Sequence, residues 1–308
     1  MKRVFQIVCV TALVAALGSA ASAADITHDG TTISMDFVTV GNAGNTADAT
    51  SYGGVDYNYR IGKYEVTENQ WDAVSGASTT DLLDDPGYWS GDQPVAEISW
   101  HESAMFCNWL TSGNVAQGAY AINGSGLVTA IDRADAVSTY GTVYVIPTED
   151  EWYKAAYYDP NKSGGWESGA GYWHYPTGSD SAPDGIDSAG DTEFEAVFYD
   201  GYDQGHPNDM DDAGALSPYG TMGQGGNVWE WNETIIYEPF GDSSRGIGRG
   251  SFSNYDDILL ASSRFVSSPT IEAYNVGFRV SEVPEPATMA ILMLGGIGIL
   301  RRRKCVRG

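Results

Sequence analysis

The chain has 308 residues and carries 41 Asp and Glu against 16 Lys and Arg, a formal net charge of −25. That imbalance repels nucleic acid and anionic lipid and excludes both as ligands of the main body. The three cysteines are Cys9, Cys107 and Cys305; only Cys107 lies inside the central region, which excludes a disulfide scaffold.

The first segment reads as an export signal. Lys2 and Arg3 precede an apolar run over 4–17, and Ala21 and Ala23 form a small-residue cleavage pattern, placing the cut after Ala23. The body that follows, 24–282, is punctuated by glycine and turn residues, which predicts short elements and long loops in an α+β domain. Strands are predicted over 32–40, 57–66, 142–146, 227–231 and 277–280. Three helix starts carry capping boxes, in which a hydroxyl and a side chain three residues on satisfy orphan amides. They are Thr67 with Gln70, Ser99 with Glu102, and Thr148 with Glu151. In the second helix Trp100, Ala104 and Cys107 share one stripe, which assigns Cys107 to the core. The stretch 159–217 is too rich in Gly, Asp, Ser and Pro for regular structure, and too long for an ordinary connection.

The last segment, 283–308, repeats the logic of the first in reverse. Val283-Pro284-Glu285-Pro286 leads into an apolar run over 287–300 and then Arg301-Arg302-Arg303-Lys304. The run is short for a full membrane span, and the basic cluster would stay cytoplasmic. Seven of the sixteen basic residues lie in the two ends, leaving nine for the domain, which is therefore more acidic than the whole chain. Motif, apolar run and basic end together resemble the PEP-CTERM sorting tail of bacterial envelope proteins. That resemblance implies an exosortase-type sorting enzyme as partner and a link to the membrane through the tail. It also implies display in the envelope, on the surface or in an exopolysaccharide matrix.

Inside the domain, several segments follow in order. Ile61-Gly62-Lys63-Tyr64-Glu65-Val66-Thr67 comes first, then Pro147-Thr148-Glu149-Asp150-Glu151-Trp152 and Gly226-Asn227-Val228-Trp229-Glu230-Trp231. Arg249-Gly250-Ser251-Phe252, Ser263-Arg264 and Gly277-Phe278-Arg279-Val280 close the series. The series resembles the formylglycine-generating enzyme (sulfatase-modifying factor) family, from about Ile33 to Val280. The resemblance implies an α+β fold related to the C-type lectin fold, with little regular secondary structure.

Catalytic members of that family hold Cu(I) with two cysteine thiolates, soft ligands for a soft ion. The pair would lie between Ser251 and Arg264, and this sequence has no cysteine there. No copper is expected, and no catalytic residue is assigned. Iron-dependent relatives use histidine clusters; His28, His101, His174 and His206 are scattered here. No nucleophile elbow, phosphate loop or dinucleotide fingerprint occurs.

The resemblance implies calcium as the cofactor, with backbone oxygens from Gly226 and Val228 and a carboxylate from Glu230. Gly223, where relatives carry Asp or Asn, removes one oxygen ligand. Glu230 reads equally as a buried acid paired with an arginine, Arg279 among them. The acidic run 208–214 starts like a calcium loop, but Ala213 and Gly220 stand where ligands belong, so it reads as a solvated loop. Trp166, Tyr172, Trp173, Tyr175, Tyr199 and Tyr202 read either as sugar-stacking faces or as core filling. The function expected is a non-catalytic binding or structural module facing extracellular polysaccharide or a surface protein. The alternative is a divergent oxidase or non-haem iron oxygenase.

Overall fold

The computed structural model describes residues 21–283, apart from 79, 81–82, 84–85, 164–170, 186–193, 202–203 and 238–242. The apolar runs over 4–17 and 287–300 lie outside the described residues. Among the described residues no helix is long and apolar enough to cross a membrane.

The chain opens with strands β1 (Ser22–His28), β2 (Thr31–Val40) and β3 (Tyr59–Gly62), then helices α1 (Glu68–Ala77) and α2 (Trp100–Ser112). A small hairpin, β4 (Tyr120–Ile122) and β5 (Val128–Ile131), leads to α3 (Arg133–Tyr140), β6 (Val143–Val145) and α4 (Glu149–Tyr157). The long loop region holds only β7 (Asp184–Gly185) and β8 (Glu195–Ala196). It is followed by β9 (Trp229–Tyr237), β10 (Ser243–Ile247), β11 (Phe265–Ser267), β12 (Val276–Gly277) and β13 (Ser281–Val283). Two larger sheets result, one ordered β1-β2-β3-β13-β6 and one ordered β11-β10-β9-β12. The predicted cut after Ala23 falls inside β1.

All three predicted capping boxes form, with each hydroxyl accepting an N–H and each N3 side chain accepting the cap amide. The predicted stripe of α2 is wider than drawn: nearly every residue from Ser103 to Thr111 is buried, because α2 runs through the middle of the domain. Cys107 is buried in this core, and burial pushes its thiol well above the ordinary range. Of the predicted strand 277–280 only Gly277 is strand, at the end of β12; residues 278–280 link β12 to β13, and the two strands serve different sheets. Between them Phe278 and Arg279 are wholly buried.

Tryptophans pin the layers. Trp71 stacks on Phe106 at 5.6 Å, and Phe278 meets both rings edge-on. The Trp231 indole N–H donates to the Ile98 carbonyl, Trp100 to that of Asn232, and Trp152 to the Glu230 carboxylate. Buried indole N–H groups need such acceptors, so β9 is locked to the start of α2 and to α4.

Candidate functional site

Two charged networks hold the loops in place from below. Arg279 donates from Nε to Glu230 Oε2 at 2.6 Å and from Nη2 to Oε1 at 2.7 Å, and its remaining N–H groups reach the carbonyls of Gly62, Lys63 and Met222. Both carboxylate oxygens of Glu230 are thus engaged, and Trp152 adds a third donor. The second network centres on Arg133, which bonds Glu151, Glu233 and the Ile146 carbonyl. Burial would raise the Glu151 carboxyl, but the Arg133 guanidinium overrides it and holds the group below its usual range.

Glu65 lies beside the first network. Its Oε2 accepts from Asn227 Nδ2 at 2.8 Å and its Oε1 from the Val228 N–H. Burial, with the Glu230 charge second, pushes its carboxyl up to about 8; Arg279 and the two hydrogen bonds pull the other way. One guanidinium therefore serves two carboxyls. Gly223 has φ +74°, and a Cβ there would stand 2.6 Å from Glu65 Oε2, so the position accepts only glycine while Glu65 keeps this pose. Gly226, at φ +101°, has the Val197 carbonyl 2.5 Å from where a Cβ would be.

Of its two sequence readings, Glu230 takes the arginine pairing. With that carboxylate spent on Arg279, Gly226, Val228 and Glu230 do not fit together as a calcium cradle. A cation there would face the fully buried Arg279 charge, with the Glu230 carboxylate already paired to it. The acidic run 208–214 is docked by backbone and amide contacts: the Asn208 N–H donates to Asn227 Oδ1, and that of Met210 to the Asp92 carbonyl.

Above these networks runs the loop 251–264. Ser251 is wholly buried; its Oγ donates to Asn254 Oδ1 at 2.8 Å and lies 3.1 Å from Ser253 Oγ. Asn275 Nδ2 donates to both hydroxyls. Leu259 is wholly buried, and its carbonyl accepts from the Tyr157 hydroxyl. Arg264 closes the loop through two 2.9 Å bonds to Glu149 at the start of α4. The loop carries hydroxyls, an amide, aliphatics and the carboxylates of Asp256 and Asp257, but no cysteine to serve as a soft metal ligand.

An aromatic cluster stands on this loop. Phe252, Trp89, Tyr88 and Tyr274 close a ring of contacts with centroids 4.7–5.9 Å apart. The Trp89 indole donates to the Tyr274 carbonyl at 2.8 Å. Phe252 is buried, whereas Tyr88 is 49% and Tyr274 41% exposed. Nearby, Tyr255 is 61% exposed and meets Tyr199 edge-on, and the Tyr199 N–H donates to the Asn254 carbonyl.

Residues 37–283 match the family model described as the sulfatase-modifying factor enzyme 1-like domain. The chain belongs to this family. Residues 282–304 match the PEP-CTERM protein-sorting motif. The tail therefore marks the chain for export and envelope sorting in a bacterium and for recognition by an exosortase-type enzyme. The fold is similar to that of Treponema denticola variable protein 1, with TM-score 0.55, 19% identity, and coverage of 85% of this chain and 99% of that one. It is also similar to CarF, with TM-score 0.56, 19% identity, and coverage of 81% and 98%. The chain is 33% identical over 86 residues to the chaperone protein LppX of Paenibacillus barcinonensis, covering 27% of this chain and 28% of that relative's length.

Within this sulfatase-modifying factor domain the histidines stay apart. The His28 ring lies edge-on to Trp109, and His206 Nδ1 lies 2.9 Å from the Pro207 carbonyl. The His174 carbonyl accepts from Ala261. His101 accepts from the Val128 N–H and borders a cleft of about 260 Å³ with Glu102 and Glu272. Burial, with Arg245 second, lowers its pKa. Among the described residues no three of His, Cys, Asp and Glu converge as a metal-binding group.

Of the aromatics singled out from sequence, Tyr172 and Tyr175 are core residues, and the Trp173 ring carries the Lys162 ammonium at 4.0 Å. Trp166 and Tyr202 lie outside the described residues. Of the four described, Tyr199 joins the exposed aromatic surface. Tyr88, Tyr255 and Tyr274 were not legible as a group, because 185 residues separate Trp89 from its partner Tyr274. The available signal was local: Tyr88-Trp89 sits between Pro86-Gly87 and Ser90-Gly91, paired aromatics held out on turn residues.

Proposed function

We propose that this domain is a non-catalytic binding module displayed in the bacterial envelope or its polysaccharide matrix, and that the aromatic surface over loop 251–264 is its ligand face. The observation that carries this reading is the loop itself. Where catalytic relatives need a thiolate pair, the segment has no cysteine and is closed by Ser251, Ser253, Asn254 and Asn275, with Leu259 packed beneath. Exposed tyrosine faces beside hydroxyls, amides and the carboxylates of Asp256 and Asp257 suit a neutral sugar, which offers C–H faces for stacking and hydroxyls for hydrogen bonding.

The acidity of the chain supports a neutral ligand over an anionic one. With 41 acidic against 16 basic side chains, a uronic or sulfated polymer would approach against the field of the whole molecule. The fold also favours a binding role, since a fixed core can carry ligand contacts on its loops.

The test is retention of the exported protein on matrix polysaccharide separated into neutral and anionic fractions. Wild type should bind the neutral fraction. Tyr88→Ala with Tyr274→Ala should weaken binding roughly tenfold or more, the scale of about 1.4 kcal/mol lost on removing stacking faces. Failure to bind either fraction, or binding that the double substitution leaves intact, overturns the reading. Stoichiometric iron or copper in the purified protein would favour the oxidase or oxygenase alternative.

A further inference from the structure

The sorting-motif match begins at residue 282, yet Glu282 and Val283 are already strand residues of β13. That strand sits inside the five-stranded sheet. Ser281 and Glu282 pair with Ile61 and Arg60 of β3, and on the other side Ser281, Glu282 and Val283 pair with Val145, Tyr144 and Val143 of β6. Val283 is the last described residue, and the sequence continues with Pro284-Glu285-Pro286. The first two residues of the matched motif are thus backbone already committed to neighbouring strands.

One side chain fastens this arrangement. Arg60 Nη1 donates to Glu282 Oε2 at 2.5 Å. Its Nη2 donates to Ser22 Oγ of β1 at 2.7 Å, and its guanidinium lies over the Phe37 ring of β2, 4.9 Å from the centroid. Arg60 therefore reaches from the first strand of the sheet to the strand that runs into the sorting motif. The register places the N-terminal end of β1 and the C-terminal end of β13 at the same end of the sheet. Cleavage after Ala23 would take Ser22 away and leave the guanidinium to Glu282 and Phe37.

We infer that Arg60 is a clasp that keeps the first residues of the sorting motif in the sheet, so that the sorting enzyme gains the motif only when the end of β13 leaves its neighbours. Arg60 is a positioning residue in this scheme: it sets how often Glu282 and Val283 are free and takes no part in the enzyme's chemistry. The clasp ties sorting to the folded state of the domain, because β13 can be held only after β3 and β6 are in place.

The test uses the full chain in a host that sorts such tails, following by intact mass the fraction of chains that retain the tail with time. Arg60→Ala should shorten the lifetime of tail-bearing chains several-fold. A second variant leaves the clasp untouched and inserts four Gly-Ser residues between Val283 and Pro284. It should be processed at least as fast as Arg60→Ala, and adding Arg60→Ala to it should change nothing further. This arm remains informative if Arg60→Ala impairs folding. Processing of the spacer variant at the wild-type rate, or more slowly, overturns the clasp. Slower processing would mean that the enzyme docks on the intact sheet end instead.

Discussion

Glu65 and Glu230 share Arg279 in a region closed to water, and the two carboxyls divide the roles. Glu230 is paired with the guanidinium by a two-pronged contact, while burial pushes the Glu65 carboxyl up to about 8. A carboxyl whose folded pKa lies above its unfolded value binds more protons in the folded state. The stabilisation is full below the unfolded value of about 4.5 and is lost as pH rises to about 8. The slope is at most about 1.4 kcal/mol per pH unit. Urea titrations from pH 4.5 to 8.5 should show this decline for wild type, and a shallower one for Glu65→Gln, whose amide carries no charge to bury. Parallel profiles would show that another group sets the slope. Much at this scale was open to sequence reasoning. Cys107 was assigned to the core from its helical stripe, and Arg279 was named as a partner for Glu230. Glu65 was seen only as part of a motif, because its neighbours Asn227 and Glu230 lie more than 160 residues away in sequence.

Helices announced themselves where the chemistry is local. A capping box needs only four consecutive residues, so the three helices that carry one were placed correctly from sequence. Helix α3 lacks that signature: Asp132 caps it, but Asp135 stands where Glu or Gln would complete the box. The strands were less legible because pairing is decided by distant partners. Strand β9 runs on to Tyr237, six residues past its predicted end, since β10 supplies a partner along that length. The segment 276–283 crosses from one sheet to the other, and the predicted run 277–280 falls mostly on the link between its two short strands. Thr148 holds the start of α4, from which Glu149 reaches Arg264 and Glu151 reaches Arg133. Thr148→Ala should cost about 1 kcal/mol in thermal or urea unfolding, the usual scale for a lost N-cap. A loss below a few tenths would mean that the Arg133 network alone fixes the helix.

For the whole molecule, the ends and the motif series carried most of the identification, since sorting motif and family segments are both written in short, ordered words. The proposed ligand face was not written that way. It is assembled from residues 88–89, 251–255 and 274–275, which only the fold brings together. The proposed non-catalytic role rests on the loop that would carry two sulfurs, which has no cysteine between Ser251 and Arg264. The most direct measurement is the metal content per chain of the exported protein, taken by elemental mass spectrometry after loading with Cu(I) and dialysis against a competing thiol. The account predicts copper far below one ion per chain. One tightly held copper ion per chain would contradict it.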